Sequence, residues 1–208
     1  MIYSTDLANN TVASGRNNKY LEAGIHENVK LVSARVDKSP IQGNLFIEVK
    51  FEKDGKELIF TGWEPKKRDT DTEESMQTKA TNQVTRITRI LRCFYAKSAL
   101  TFSGNSFSEF ASWAVGMLNA ADKTKLLKLK AVYNRDGYVS LPTYVSFAFI
   151  EPMVIPEGFY DDNSTESKIT KLDGMDVFTK PVVADVEQKD TNPLAAAETT
   201  SPVDDLPF

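Results

Sequence analysis

The most chemically pointed spacing in this 208-residue chain is Glu48-Val49-Lys50, with Asp37 eleven residues upstream. A carboxylate, one spacer and a lysine put both side chains on one face of a strand. With an upstream carboxylate they could hold Mg²⁺ and orient a water, the chemistry of a metal-dependent nuclease of the D…ExK type. The same residues also suit the solvent face of an amphipathic strand, and both readings stand at this point. There is no glycine-rich loop followed by Lys and Ser/Thr, so nothing supports a P-loop ATPase. His26 and Cys93 are the only residues of their kinds, which excludes an internal disulfide and a zinc site of the usual spacings. No catalytic residue, metal or cofactor is assigned.

A second constellation interleaves rings with cations. Lys38 falls in a first long loop, and Phe46 and Lys50 in the extended run after it. Phe60 and Trp63 follow on the next run, which leads directly into Lys66, Lys67 and Arg68. Lys128, Lys130, Tyr133, Arg135, Tyr138 and Tyr144 come from a hairpin further on. Aromatic faces stack on any unpaired base, and Lys and Arg follow phosphates, so this mixture is suited to single-stranded nucleic acid. Phe60 and Trp63 have opposite parity, so one of them belongs to the core.

The elements that must position these groups are legible from period. Residues 1–27 are polar and mostly irregular, whereas 28–36, 44–52 and 56–64 alternate apolar and polar residues as half-buried strands do. Asp54-Gly55 marks a tight hairpin between the last two, and the Pro and Gly of 37–43 mark a longer loop. The period then turns helical. Over 80–97, Val84, Ile87, Ile90, Leu91 and Phe94 share a face, with Glu73 and Glu74 ahead of the helix. Arg86, Arg89 and Arg92 fall on the opposite face, assigned to solvent or a partner. Ser106 and Glu109 form a capping box for a second helix. Runs at 124–134 and 138–150, joined by Arg135-Asp136-Gly137, read as two more strands, with Pro142 at an edge or bulge.

Charge divides the chain at Pro156. Residues 1–156 carry 21 Lys and Arg against 17 Asp and Glu, a net +4, and residues 157–208 carry 4 against 12, a net −8. The first part is therefore read as the domain. The second, poor in aromatics, is read as a disordered acidic tail, with 168–183 either linker or a short docking motif. No run approaches the ~18 apolar residues of a membrane span, and the start lacks the blocks of a signal peptide. The expectation is a soluble, cytoplasmic protein with no membrane partner, monomeric or homodimeric.

Three strands, a helical insert and two strands is the order of the OB-fold, a partly open five-stranded barrel that binds oligonucleotides on strands two and three and with the loops joining strands 1–2 and 4–5. The expected class is therefore mainly β, an OB-like barrel with two helices between strands 3 and 4. The final residues, Asp204-Asp205-Leu206-Pro207-Phe208, resemble the acidic tip of bacterial-type single-stranded DNA-binding proteins. That resemblance implies single-stranded DNA as ligand, and replication, recombination and repair proteins as partners of the tip. By it Phe208 is the anchor, Asp204 and Asp205 the rim charges and Pro207 the stiffener. The body, from residue 24 to 65, is more similar to OB-fold binders encoded by phages, which would place the protein in a host cytoplasm. The competing reading is a phage interaction or structural protein that recruits a host factor without nucleic acid.

Overall fold

The computed structural model describes residues 19–181, so the tip formed by Asp204, Asp205, Leu206, Pro207 and Phe208 lies outside the described residues. The chain is mainly β. Strands β1 (Gly24–Lys38), β2 (Leu45–Lys53) and β3 (Lys56–Trp63) are followed by helices α1 (Glu73–Arg92) and α2 (Phe107–Ala120), then β4 (Leu127–Tyr133), β5 (Val139–Ser140) and β6 (Ile150–Pro152). All strand pairings are antiparallel, in the order β3-β2-β1-β4-β5, with β6 also on β4.

The local signals hold where they rest on turn and cap chemistry. Asp54 and Gly55 both take positive φ, 52° and 77°, the two left-handed positions of a tight hairpin turn. Ser106 accepts from the Glu109 N–H while the Glu109 carboxylate accepts from the Ser106 N–H, closing the capping box. Ile47, Val49 and Phe51 of β2 face inward with Leu58 and Phe60 of β3, against Ile87, Ile90 and Leu91 of α1. Each such side chain contributes about 1.5–3 kcal/mol by leaving water.

Four expectations are corrected. First, the sheet is six-stranded and open: its end strands β3 and β5 touch but do not hydrogen-bond. β5 is only two residues long, and residues 19–21 already lie along β3, with Leu21 N–H bonded to Glu57 O and Glu57 N–H to Lys19 O. Second, α1 begins at Glu73, capped by Thr72, so Glu73 and Glu74 form its first turn. Third, the run at 138–150 breaks into β5 and β6. Pro142 has no N–H to give a ladder, and carbonyls of the intervening residues are taken by side chains instead. Arg86 donates to Leu141 O and Pro142 O, Arg89 to Val145 O and Phe147 O, and Arg92 to Phe159 O. The arginine face of α1 is thus an internal clamp on 141–159. Burial without a carboxylate partner lowers Arg86 to about 10.

Fourth, the ordered body does not end at Pro156, because residues 157–181 are packed onto it. Glu151, buried in β6, accepts from Tyr160 Oη at 2.5 Å and from the Lys168 N–H at 3.2 Å. Ile169 is buried. Asp176 reaches Lys130 Nζ at 2.6 Å, both side chains fully enclosed, and Tyr144 Oη joins them. Val177 O accepts from the Tyr133 N–H. The polar composition of this strap suggested a linker, but a buried pair and one isoleucine are enough to seat it. Among the described residues no helix is long and apolar enough to cross a membrane.

Candidate nucleic-acid interface

The outer face of the sheet follows from register. Phe46 pairs with Trp63, Glu48 with Thr61 and Lys50 with Ile59, while Asp37 and Arg35 of β1 pair with Phe46 and Glu48. At the middle of this face the charges satisfy one another. Arg35 bonds Glu48 at 2.7 Å and Asp37 at 2.8 Å, and Lys50 bonds Glu57 at 2.6 Å. The bond from Lys50 draws Glu57 below the usual carboxylate range, and the bond to Glu48 raises Arg35. A guanidinium therefore sits between the two carboxylates that a nuclease would present to Mg²⁺, and Lys50, on the same face, is bonded to Glu57. Among the described residues no cluster of His, Cys, Asp or Glu is arranged to hold a metal.

The Trp63 end of the same face is different. Trp63 lies 4.7 Å from Phe46 centroid to centroid and is 48% exposed, while Phe46 beneath it is buried. Cross-strand aromatic pairs of this kind hold each other in place. Trp63 forms a shallow basin of about 500 Å³ whose lining includes Ser39, Ile41, Asn44, Glu64, Lys66, Arg68 and Lys79. The 39–44 loop is fixed by Ser39 N–H to Asn44 O, Gly43 N–H to Ser39 O and a positive φ of 68° at Gly43, and it holds Ile41 92% exposed. Across the basin, Asp71 accepts from the Arg68 N–H and from Lys79 Nζ, tying the 65–71 loop to the start of α1. Those bonds, Lys79's first, lower Asp71. Lys38, Lys66, Lys67 and Arg68 are exposed and their side-chain charges form no ion pair among the described residues, although Glu64 also lines the basin.

At the other end of β3, a second basin of about 420 Å³ is bordered by Tyr20, Ile59, Tyr133, Tyr138 and Lys180. Tyr138 is 72% exposed at the β4–β5 turn, beside an exposed Arg135. The two basins thus lie at opposite ends of β3, one at the β1–β2 loop and one at the β4–β5 turn.

The remaining expected contacts fall away from this surface. Phe60 is 1% exposed in the core, under Arg86 at 4.7 Å, and so resolves the parity choice in favour of Trp63 as the outward ring. Lys130 is 0% exposed and neutralised by Asp176, and Tyr144 is engaged with both. Burial, then the bond to Asp176, raises the Tyr144 hydroxyl. Burial opposes ionisation of Asp176 itself, but bonds from Lys130, the Leu172 N–H and Tyr144 outweigh it and hold the group low. Lys128 is half-buried and paired with Glu27 at 3.2 Å, and Tyr133 is half-buried. Ile41, Lys79 and Tyr20 were not anticipated. Ile41 could have been found as an apolar residue marooned in a Pro/Gly loop, whereas Lys79 and Tyr20 carry no local signal.

Comparison of the chain with protein-family models, with curated proteins and with solved structures gives no match.

Proposed function

We propose that this chain is a non-enzymatic single-stranded DNA-binding protein of OB-fold type, phage-encoded, that coats unpaired strands during replication and recombination and recruits partner proteins through Asp204–Phe208. The observation that carries the reading is Trp63. It is an outward ring braced on Phe46, with Lys66, Lys67 and Arg68 just after it in sequence and Lys38 adjoining the β1 residue that pairs with Phe46, and the side-chain charges of all four form no ion pair among the described residues. A π-face beside unneutralised cations suits a base and its phosphate. The strand order, with β3 and β5 adjacent but unpaired, and the placement of the β1–β2 and β4–β5 loops at the two ends of β3, support the OB reading. The tip's role rests on its resemblance and on its chemistry, a restrained ring beside two carboxylates.

The chain has two tryptophans, so Trp113→Phe leaves Trp63 as the only indole. Titration of that variant with oligo-dT should quench its fluorescence to saturation. If all four cations contact phosphates, affinity falls with salt at a logarithmic slope of about −3. No quenching, or quenching indifferent to salt, would leave the interaction-protein reading in its place. Cleavage of DNA in Mg²⁺ that Glu48→Ala abolishes would replace it with the nuclease.

A further inference from the structure

The Trp63 basin holds one group that phosphate binding leaves unexplained. β3 ends at Trp63, and the next residue, Glu64, still gives its N–H to Leu45 O at 3.0 Å, so the chain is pinned to β2 where it leaves the strand. Pro65 follows, its φ set by the ring. Glu64 is half-buried and lines the basin with Lys66, Arg68 and Lys79. Lys79 is taken by Asp71, and Glu64 forms no ion pair among the described residues. On a surface that only followed phosphates, a carboxylate next to the stacking ring would repel the strand. Two amides border the same basin. Asn44 Nδ2 donates to Gln42 Oε1 at 3.0 Å, which leaves the Gln42 NH₂ and the Asn44 side-chain oxygen uncommitted.

An indole face, one carboxylate and several N–H donors thus line one open basin of small-ligand size. A flat heterocycle lying on Trp63 has its edge among these groups. In a single strand that edge is the Watson–Crick edge, free because the base is unpaired. Guanine alone presents two adjacent donors there, N1–H and the N2 amino group, beside one acceptor, O6. Thymine presents one donor between two acceptors, and adenine and cytosine one amino group beside ring acceptors. A carboxylate accepts both guanine donors at once as a charge-assisted pair, whereas it meets a carbonyl oxygen on thymine. We infer that the basin is a guanine-selective subsite: the base stacks on Trp63, Glu64 accepts from N1–H and N2–H, and O6 takes an N–H from the lysines, Arg68 or Gln42. This rests on the single-strand reading above and sharpens it, because a strand containing guanine then binds in a preferred register.

Fluorescence anisotropy of end-labelled strands of about ten nucleotides tests it with the full chain. An all-dT strand is compared with strands in which one central dT is replaced by dG, dA, dC or deoxyinosine, the last keeping O6 and N1–H but lacking the N2 amino group. The dG strand should bind roughly 5- to 150-fold more tightly than all-dT, the worth of one bidentate pair. Deoxyinosine should lose most of that gain, and dA, a purine that stacks as guanine does, should show little of it. Glu64→Gln puts one acceptor and one donor where two acceptors stood, and should level the dG and dT affinities. Equal affinity for every strand would overturn the inference and leave single-strand binding standing. A gain shared by dA, or a dG preference that survives deoxyinosine or Glu64→Gln, would overturn it as well. A chain that binds none of the strands loses this inference together with the reading it rests on.

Discussion

The Trp63 end of the sheet and the Lys130 end of β4 are built from the same residue types, lysine beside aromatic rings, and come to opposite ends. At Trp63 only Lys79 of the basin's cations is in an ion pair, the side-chain charges of Lys66 and Arg68 forming none among the described residues, and the indole is half in solvent. At Lys130 the ammonium, the Tyr144 hydroxyl and Asp176 form a closed network under the strap. What separates them is a segment 46 residues downstream of Lys130, so residue type and strand parity alone cannot decide whether a basic, aromatic surface is a ligand site or a seat for the chain itself.

The comparison breaks most sharply if the network is opened. Asp176→Ala leaves Lys130 enclosed without a partner and should destabilise the fold by about 3 kcal/mol, read by urea denaturation. A loss under ~1 kcal/mol would mean the strap lifts freely and Lys130 belongs with the exposed cations. The sign of the pH dependence follows from the lowered Asp176. The unfolded state binds its proton more readily, so the contribution is complete above the ordinary Asp value of ~3.9 and is lost as pH falls through the folded value. Wild type should lose stability in that acid range more steeply than Asp176→Asn.

Next in size, Ile169→Ala should cost about 2 kcal/mol and raise protease sensitivity within 157–181. If cleavage there does not change, the isoleucine is not what seats the strap. At the open end, Trp63→Ala should weaken oligo-dT binding by roughly 1–3 kcal/mol with little change in denaturation midpoint. Tyr144→Phe should do the reverse, affecting stability and leaving affinity alone. Smallest of all, Lys67→Ala should reduce the salt slope by about 0.7 without altering base preference.

Much of the fold was legible because its signals are local. Asp54-Gly55, Ser106 with Glu109, and the alternation of Ile47, Val49 and Phe51 each specify geometry within a few residues. The parity argument likewise divided Phe60 from Trp63. It failed for Lys130, whose inward turn depends on an Asp that looks like any other acid in a polar stretch. It failed for the α1 arginines as well, because their partners are backbone carbonyls 55–67 residues away, which no side-chain pattern announces. The break between β5 and β6 belongs with these, since Pro142 signals that a ladder stops but not what replaces it.

The position of Asp176 also sets an order of events at the ribosome. At about 5–20 residues per second, Asp176 is added some 2–9 s after Lys130. Until it emerges, a nascent chain that has already made β1 to β4 carries an ammonium with no counter-ion for its seat. Seating of the strap is therefore timed by its translation, and a chain cut short before Asp176 leaves Lys130 without that counter-ion.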